Sequence, residues 1–276
     1  MLDTIVLTRI LRRTAVALAI AAAALYLGVL VLLLALQRDM LFVRGRYTRE
    51  RDPVYRVQTV READGTQIET WVAAAQQPHA PVIVFFYGNA GTLSDFEVIG
   101  EAFHVEGYGI VLASYRGYPG NSGSPSEAGV MADARAVLAA LARDHGPVVL
   151  WGQSLGTGVA ARMASEGLAA ALILQSPYTA VSDVAARRFP IYPVHWLMRD
   201  SFDTLALVPR IAVPVLIMSG TADTTVPFDM GQTLATRLGH RATFVPIAGG
   251  GHNLPARTVL AISDNWLRAR MPARTP

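Results

Sequence analysis

The stretch VVLWGQSLGTGVAARMA, residues 148–164, decides how the rest of the chain is read. An apolar run ends at Gly152-Gln153-Ser154, and an alanine-rich helical pattern starts directly after it. A serine at that place could simply cap a helix, because a hydroxyl accepts from the free N–H groups of a first turn. A cap, however, has no need of the two flanking glycines, Gly152 and Gly156. They fit a G-x-S-x-G turn, in which a strand passes sharply into a helix and the serine hydroxyl projects above the sheet. The pattern is short enough to recur by chance, so its position between a strand and a helix carries the weight.

Outward from this turn, short apolar runs alternate with helical stretches. Strands are expected at 55–60, 68–74, 81–86, 109–114, 147–151, 170–175, 213–219 and 243–247. Helices are expected near 94–106, 127–143, 154–166, 229–238 and 256–270. The central runs, such as PVIVFF at 81–86, are continuously apolar, as in strands covered on both faces. Such alternation predicts an α/β fold with a doubly wound, mostly parallel eight-stranded sheet and a site at the carboxyl ends of its strands. Residues 178–209 fit no strand and are rich in aromatic residues and proline, which predicts a small cap over those ends.

Composition narrows the chemistry. The 276 residues include no cysteine, which excludes disulfides, thiolate metal sites and Cys–His catalysis. All 24 basic residues are arginine, so Ser–Lys dyads and Schiff bases are excluded as well. The net charge of +3 is uneven: residues 1–56 hold nine arginines against four acids, and the remainder fifteen against seventeen. The main body therefore shows no basic face suited to nucleic acid.

Residues 15–36 form 22 uncharged positions, and a helix of that length spans about 30 Å of hydrocarbon. The run is longer than the apolar core of a signal peptide and ends at a poor cleavage site, Leu36-Gln37-Arg38, so an N-terminal transmembrane helix is expected. Arg9, Arg12 and Arg13 precede it, while Arg38, Arg44, Arg46, Arg49, Arg51 and Arg56 follow. Counting alone puts the main body in the cytoplasm. A short arginine-bearing tail is more easily left inside, and on that ground a single-pass protein with an extracytoplasmic domain is expected.

A serine hydroxyl needs a base to become a nucleophile, and six histidines compete for the role. His79, His145 and His240 sit in turns, His104 in a helix and His195 in the cap region. His252 lies in IAGGGHN, after the last expected strand and at the sheet's carboxyl edge. Asp223, in SGTADTTVP after strand 213–219, stands between the serine and the histidine in sequence and could orient the imidazole. Asp200 and Asp203 read as solvated or capping residues, and Asp229 as a helix start. Oxyanion donors are expected from the backbone N–H groups of Leu155, next to the serine, and of Asn89 in FFYGNAG (85–91), with Ala90 the next choice.

Five stretches in order carry a resemblance to a known family: FFYGNAG, SYRGYPGNSGSPSE (114–127), GQSLGTG (152–158), QSPYTAVSDVA (175–185) and SGTADTTVPF (219–228). Together they resemble the α/β-hydrolase superfamily over roughly residues 54–270. More narrowly, they resemble its membrane-anchored serine hydrolases with an HGNAG-type oxyanion loop. The resemblance implies Ser154 as nucleophile, Asp223 as acid, His252 as base and Asn89 with Leu155 as oxyanion donors. Tyr87 stands where that family usually has histidine, a side chain thought to support the loop, so the backbone donors could survive the change.

The implied organisation is a tail at 1–14, a transmembrane anchor at 15–36, a juxtamembrane linker at 37–53 and an α/β-hydrolase domain at 54–272 that includes the cap at 178–209. The implied activity is cleavage of an acyl ester or thioester of a small-molecule or lipid-like substrate through an acyl-enzyme, with no metal or organic cofactor. Phe189, Tyr192, Trp196 and Leu197 could line an acyl pocket, although packing in the core is the simpler reading. Two alternatives remain open: a prolyl-peptidase-type serine peptidase, and a membrane-tethered binding module without catalysis.

Overall fold

The computed structural model describes residues 2–45, 51–141 and 145–271. Residues 46–50 of the expected linker, 142–143 of the expected helix 127–143, and the terminal residues 1 and 272 of the expected tail and domain lie outside them. The chain opens with α1 (Leu2–Leu41), a single helix of 40 residues. Its stretch Val6–Leu41 is long and apolar enough to cross a membrane, with a mean hydropathy of 2.7. The helix continues through residues 37–41, because no glycine or proline lies between Gln37 and Gly45 to interrupt it. Phe42, directly after it, is buried against the main body.

Among the described residues eight strands follow: β1 (Arg56–Arg61), β2 (Gln67–Ala73), β3 (Val82–Phe86), β4 (Gly109–Ala113), β5 (Val148–Gln153), β6 (Ala171–Gln175), β7 (Val215–Gly220) and β8 (Ala242–Ile247). They form one sheet in the order β1-β2-β4-β3-β5-β6-β7-β8. Pairing is antiparallel between β1 and β2 and between β2 and β4, and parallel throughout the rest. Every residue of β3, β4, β6 and β7 is buried, which explains why these segments read as unbroken apolar runs.

The covering helices are α2 (Glu97–Val105), α3 (Glu127–Ala139) and α4 (Leu155–Ser165), then α5 (Val181–Arg188), α6 (Val194–Leu197) and α7 (Thr204–Leu207) in the region expected as a cap, and finally α8 (Phe228–Leu238) and α9 (Ala256–Arg268). Ser126 starts α3 by accepting from the Gly129 N–H at 3.1 Å. One face of the sheet packs around Trp151, fully buried against Phe85, Phe96 and Phe103. Parallel pairing leaves the carboxyl ends of β3, β5, β6, β7 and β8 along one edge, where the loops bearing the candidate residues emerge.

Two readings of individual residues change. Asp200 is neither solvated nor a simple cap: it is buried, pairs with Arg38 at 2.7 Å and accepts from the Glu127 N–H at 2.8 Å. Trp196 does not join the core, since it is 89% exposed.

Candidate active site

The turn from β5 into α4 is strained at a single residue. Ser154 has φ 49° and ψ −119°, a conformation that costs a non-glycine residue on the order of 1–3 kcal/mol. Its neighbours hold it there. The Ser154 N–H donates to the Gln175 carbonyl at 2.9 Å, which ties the turn to the end of β6. The Ser154 carbonyl accepts from the Thr157 N–H at 2.9 Å and from its hydroxyl at 2.6 Å. Glycine is required on both sides: a Cβ on Gly152 would collide with the Gly156 carbonyl, and one on Gly156 with the Phe86 carbonyl. The serine is thereby lifted above the sheet with its side chain half-buried.

His252 and Asp223 meet it there. The imidazole Nε2 lies 2.8 Å from Ser154 Oγ, and Nδ1 lies 2.8 Å from Asp223 Oδ2. The two loops that bring them pack backbone to backbone, since the Ala222 N–H donates to the Gly250 carbonyl at 2.9 Å. Asp223 Oδ1 accepts from the N–H groups of Thr225 and Val226 at 2.8 and 2.9 Å, leaving Oδ2 for the histidine. Burial acts to raise the Asp223 carboxyl, but the hydrogen bond from His252, the Val226 and Thr225 N–H groups and the His252 charge outweigh it and hold it below its ordinary range. The aspartate side chain is 2% exposed and that of the histidine 20%, so only the imidazole can be reached from outside.

The loop after β3 closes the other side. Gly88 packs against Ser154, with a Cβ built on it falling 3.2 Å from the serine Cβ. Leu155 opens α4, so its N–H has no partner within the helix. Tyr87 is buried, its hydroxyl 2.6 Å from Ser114 Oγ and its ring packed on Tyr115 and Tyr118. The Tyr115 hydroxyl donates to the Tyr87 carbonyl at 2.9 Å, and that of Tyr118 to the Asn89 carbonyl at 2.7 Å.

The structure thus brings Ser154, Asp223, His252, Leu155 and Asn89 to one edge. Three contributors were missed by sequence reasoning: Tyr115, Tyr118 and Ser176, whose hydroxyl donates to the His252 carbonyl at 2.8 Å. All three lie in quoted motifs, SYRGYPG and QSPYTA, but a side chain bonded to a distant backbone carbonyl leaves no periodic trace.

A family model described as the alpha/beta hydrolase fold matches residues 81–205. An uncharacterized protein of Mycobacterium tuberculosis is 33% identical over 212 residues, which cover 74% of each chain. A lysophosphatidylserine lipase, ABHD12 of Danio rerio, is 33% identical over 218 residues, 68% of this chain and 56% of that lipase. Among solved structures, esterase 2 of Thermogutta terrifontis, phosphorylated by paraoxon, superposes with a TM-score of 0.67 at 22% identity, over 84% of this chain and 100% of that one.

Proposed function

This chain belongs to the α/β-hydrolase superfamily, and on that premise we propose that it is a membrane-anchored serine hydrolase that cleaves a lipid-like acyl ester or thioester through an acyl-enzyme. The observation that carries this reading is the continuous line from Ser154 Oγ through the His252 imidazole to Asp223, with 2.8 Å at each step. Similarity to a lysophosphatidylserine lipase supports a lipid as the source of the acyl group.

The geometry supports the following mechanism. Ser154 Oγ attacks the acyl carbonyl while His252 Nε2 takes its proton. Asp223, held anionic, keeps the Nδ1 proton facing itself and stabilises the imidazolium. The carbonyl oxygen turns towards the N–H groups of Leu155 and Asn89, which receive its developing charge. His252 then protonates the leaving alcohol or thiol. Water then attacks the acyl carbonyl while giving a proton to His252, and His252 returns that proton to Ser154 Oγ as the free acid leaves. The N-terminal helix tethers the enzyme to the membrane, with the catalytic domain on the extracytoplasmic side.

A fluorophosphonate probe applied to the full chain tests the reading. Wild type should label covalently and Ser154→Ala should not. Equal labelling of the two, or none of either, would remove the hydrolase reading and leave the non-catalytic module. Peptide substrates assayed beside acyl esters separate the peptidase alternative, which predicts faster turnover of the peptides.

A further inference from the structure

The face that α1 turns towards α5 and α6 fixes how deep that cap must lie. Its half-buried residues include Tyr26, Leu30, Leu33, Leu34, Gln37 and Leu41, a stripe at helical spacing. Tyr26 stacks on Tyr192 with ring centroids 4.8 Å apart, and its hydroxyl donates to the Ile191 carbonyl at 3.2 Å. Further along, Arg38 pairs with Asp200 at 2.7 Å, and the Arg199 N–H donates to Gln37 Oε1 at 2.8 Å. Tyr26 lies at the middle of the uncharged run 15–36. Only residues 15–25 extend beyond the cap, and a helix that long rises about 17 Å, little more than half of a hydrocarbon core about 30 Å thick. The cap runs alongside the remainder, so a helix standing in the bilayer along 15–36 carries the cap down with it.

The cap's outer surface is mixed: Arg187, Arg188, His195 and Arg199 are exposed on it and hold that part at the headgroup level, beside two apolar side chains that suit a deeper position. Ile191 is 70% exposed and Trp196 89%, whereas each of the other three tryptophans is at most 5% exposed. An exposed tryptophan and isoleucine beside a spanning helix match the side chains that settle at a membrane interface. Between α1 and the cap lies a cavity of about 250 Å³, walled by Leu30, Leu33 and Leu34 on one side and Val184, Phe189 and Leu197 on the other. Arg188 supplies the charge in its lining. Ligand sites usually run to about 300–1,000 Å³, so this one is too small for two hydrocarbon chains side by side. Val181, also on its wall, is six residues beyond Gln175, whose carbonyl holds Ser154. Six extended residues reach at most about 20 Å, so this wall of the cavity lies within about that distance of the strand end that holds Ser154.

We propose that the cap is sunk into one leaflet of the bilayer, and that the groove between α1 and the cap takes the acyl chain of a single-chain lipid laterally from that leaflet and leads its ester to Ser154. The proposal rests on the hydrolase reading for its second half; the depth of the cap does not depend on catalysis.

The test uses the full chain in vesicles whose phosphatidylcholine is brominated along the acyl chains. Because Trp196 is the one exposed tryptophan of the four, bromine within the leaflet should quench its emission, and Trp196→Phe should abolish that quenching. In unbrominated vesicles, a monoacyl lipid ester is compared with a water-soluble short-chain ester. Leu34→Phe and Val184→Phe, each narrowing the groove, should lower turnover of the monoacyl lipid about tenfold or more and leave the short ester within about twofold. Tryptophan emission indifferent to bromine overturns the immersion of the cap. Narrowed variants that hydrolyse both esters like wild type, or lose both equally, overturn the groove. A wild type inactive on both esters overturns the hydrolase reading instead, and the bromine experiment still decides where the cap lies.

Discussion

The Tyr118 hydroxyl donates to the carbonyl of Asn89 at 2.7 Å, from a position 29 residues further along the chain. Peptide units are planar, so a fixed carbonyl fixes the N–H on its far side. Tyr115 holds the carbonyl of Tyr87, the Gly91 N–H holds that of Gly88 at 3.1 Å, and Tyr118 holds that of Asn89. Three successive peptide planes are therefore pinned, and the middle one carries the N–H proposed to receive the oxyanion. Tyr118→Phe removes one pin with little change of volume. A whole oxyanion donor is worth about 10²–10³ in kcat, and loosening one should cost about tenfold with KM nearly unchanged. Stability should fall by only about 1 kcal/mol. Steady-state kinetics on a soluble ester, beside a thermal melt, reads both.

Asp223→Asn leaves the shape of the site intact and changes its proton inventory. Asparagine can offer an N–H towards His252 Nδ1, which then faces it as an acceptor and carries its proton on Nε2, the atom that must accept from Ser154. The expected fall in kcat is about 10⁴, with an unchanged melting temperature to within a few degrees. A variant that keeps more than a tenth of wild-type kcat would show that Asp223 has no part in orienting the base.

Stability should also respond to pH through a cluster outside the site. Arg116 contacts Glu62 at 2.7 Å, Asp133 at 2.8 Å and Asp64 at 3.2 Å, one cation facing three carboxylates. Burial raises the Asp133 carboxyl, and its contact with Glu62 raises it further, beyond what the Arg116 bonds offset, up to about 8. In the unfolded chain an aspartate titrates near 4, so between roughly pH 4 and 8 the folded state binds the extra proton. This contribution is fully present at low pH and is lost as pH rises through that interval. Melting temperatures taken from pH 5 to 8.5 should decline more steeply for wild type than for Asp133→Asn. Parallel slopes would show that Asp133 is ionised throughout.

The parts of the molecule visible in the sequence are those set by local pattern. Fully buried strands produce continuous apolar runs, and the chemistry-bearing loops fall where those runs end, so Ser154, Asp223 and His252 could be placed on one edge before any coordinates. What escaped was side-chain partnership across the fold. Tyr26, Leu30 and Leu33 look like any apolar residues of a membrane span, and nothing in their spacing says that one stripe rests on a cap. Asp200 read as a surface acid because its partner, Arg38, lies 162 residues away. Trp196 read as core because large aromatics usually are, and its exposure makes sense only once the apolar helix beside it is known.

The turn bearing Ser154 depends on how closely α4 approaches β3, and Gly156 sets that approach. A methyl group there would run into the Phe86 carbonyl, which is backbone at the end of a buried strand and has nowhere to retreat. Gly156→Ala must therefore push α4 away from the sheet. Overpacking of this kind costs about 1–3 kcal/mol, within what a domain of this size can tolerate. The consequence at Ser154 is larger than that figure suggests. Its unfavourable φ of 49° persists only while the surroundings enforce it, and an outward shift of α4 lets the residue relax towards ordinary backbone angles. The hydroxyl would then move off the line to His252, where a displacement near 1 Å costs about 100-fold in rate. The variant should consequently remain folded, with a lowered melting temperature, yet label with a fluorophosphonate at least about tenfold more slowly than wild type. Labelling at the wild-type rate would mean that the close contact serves stability alone.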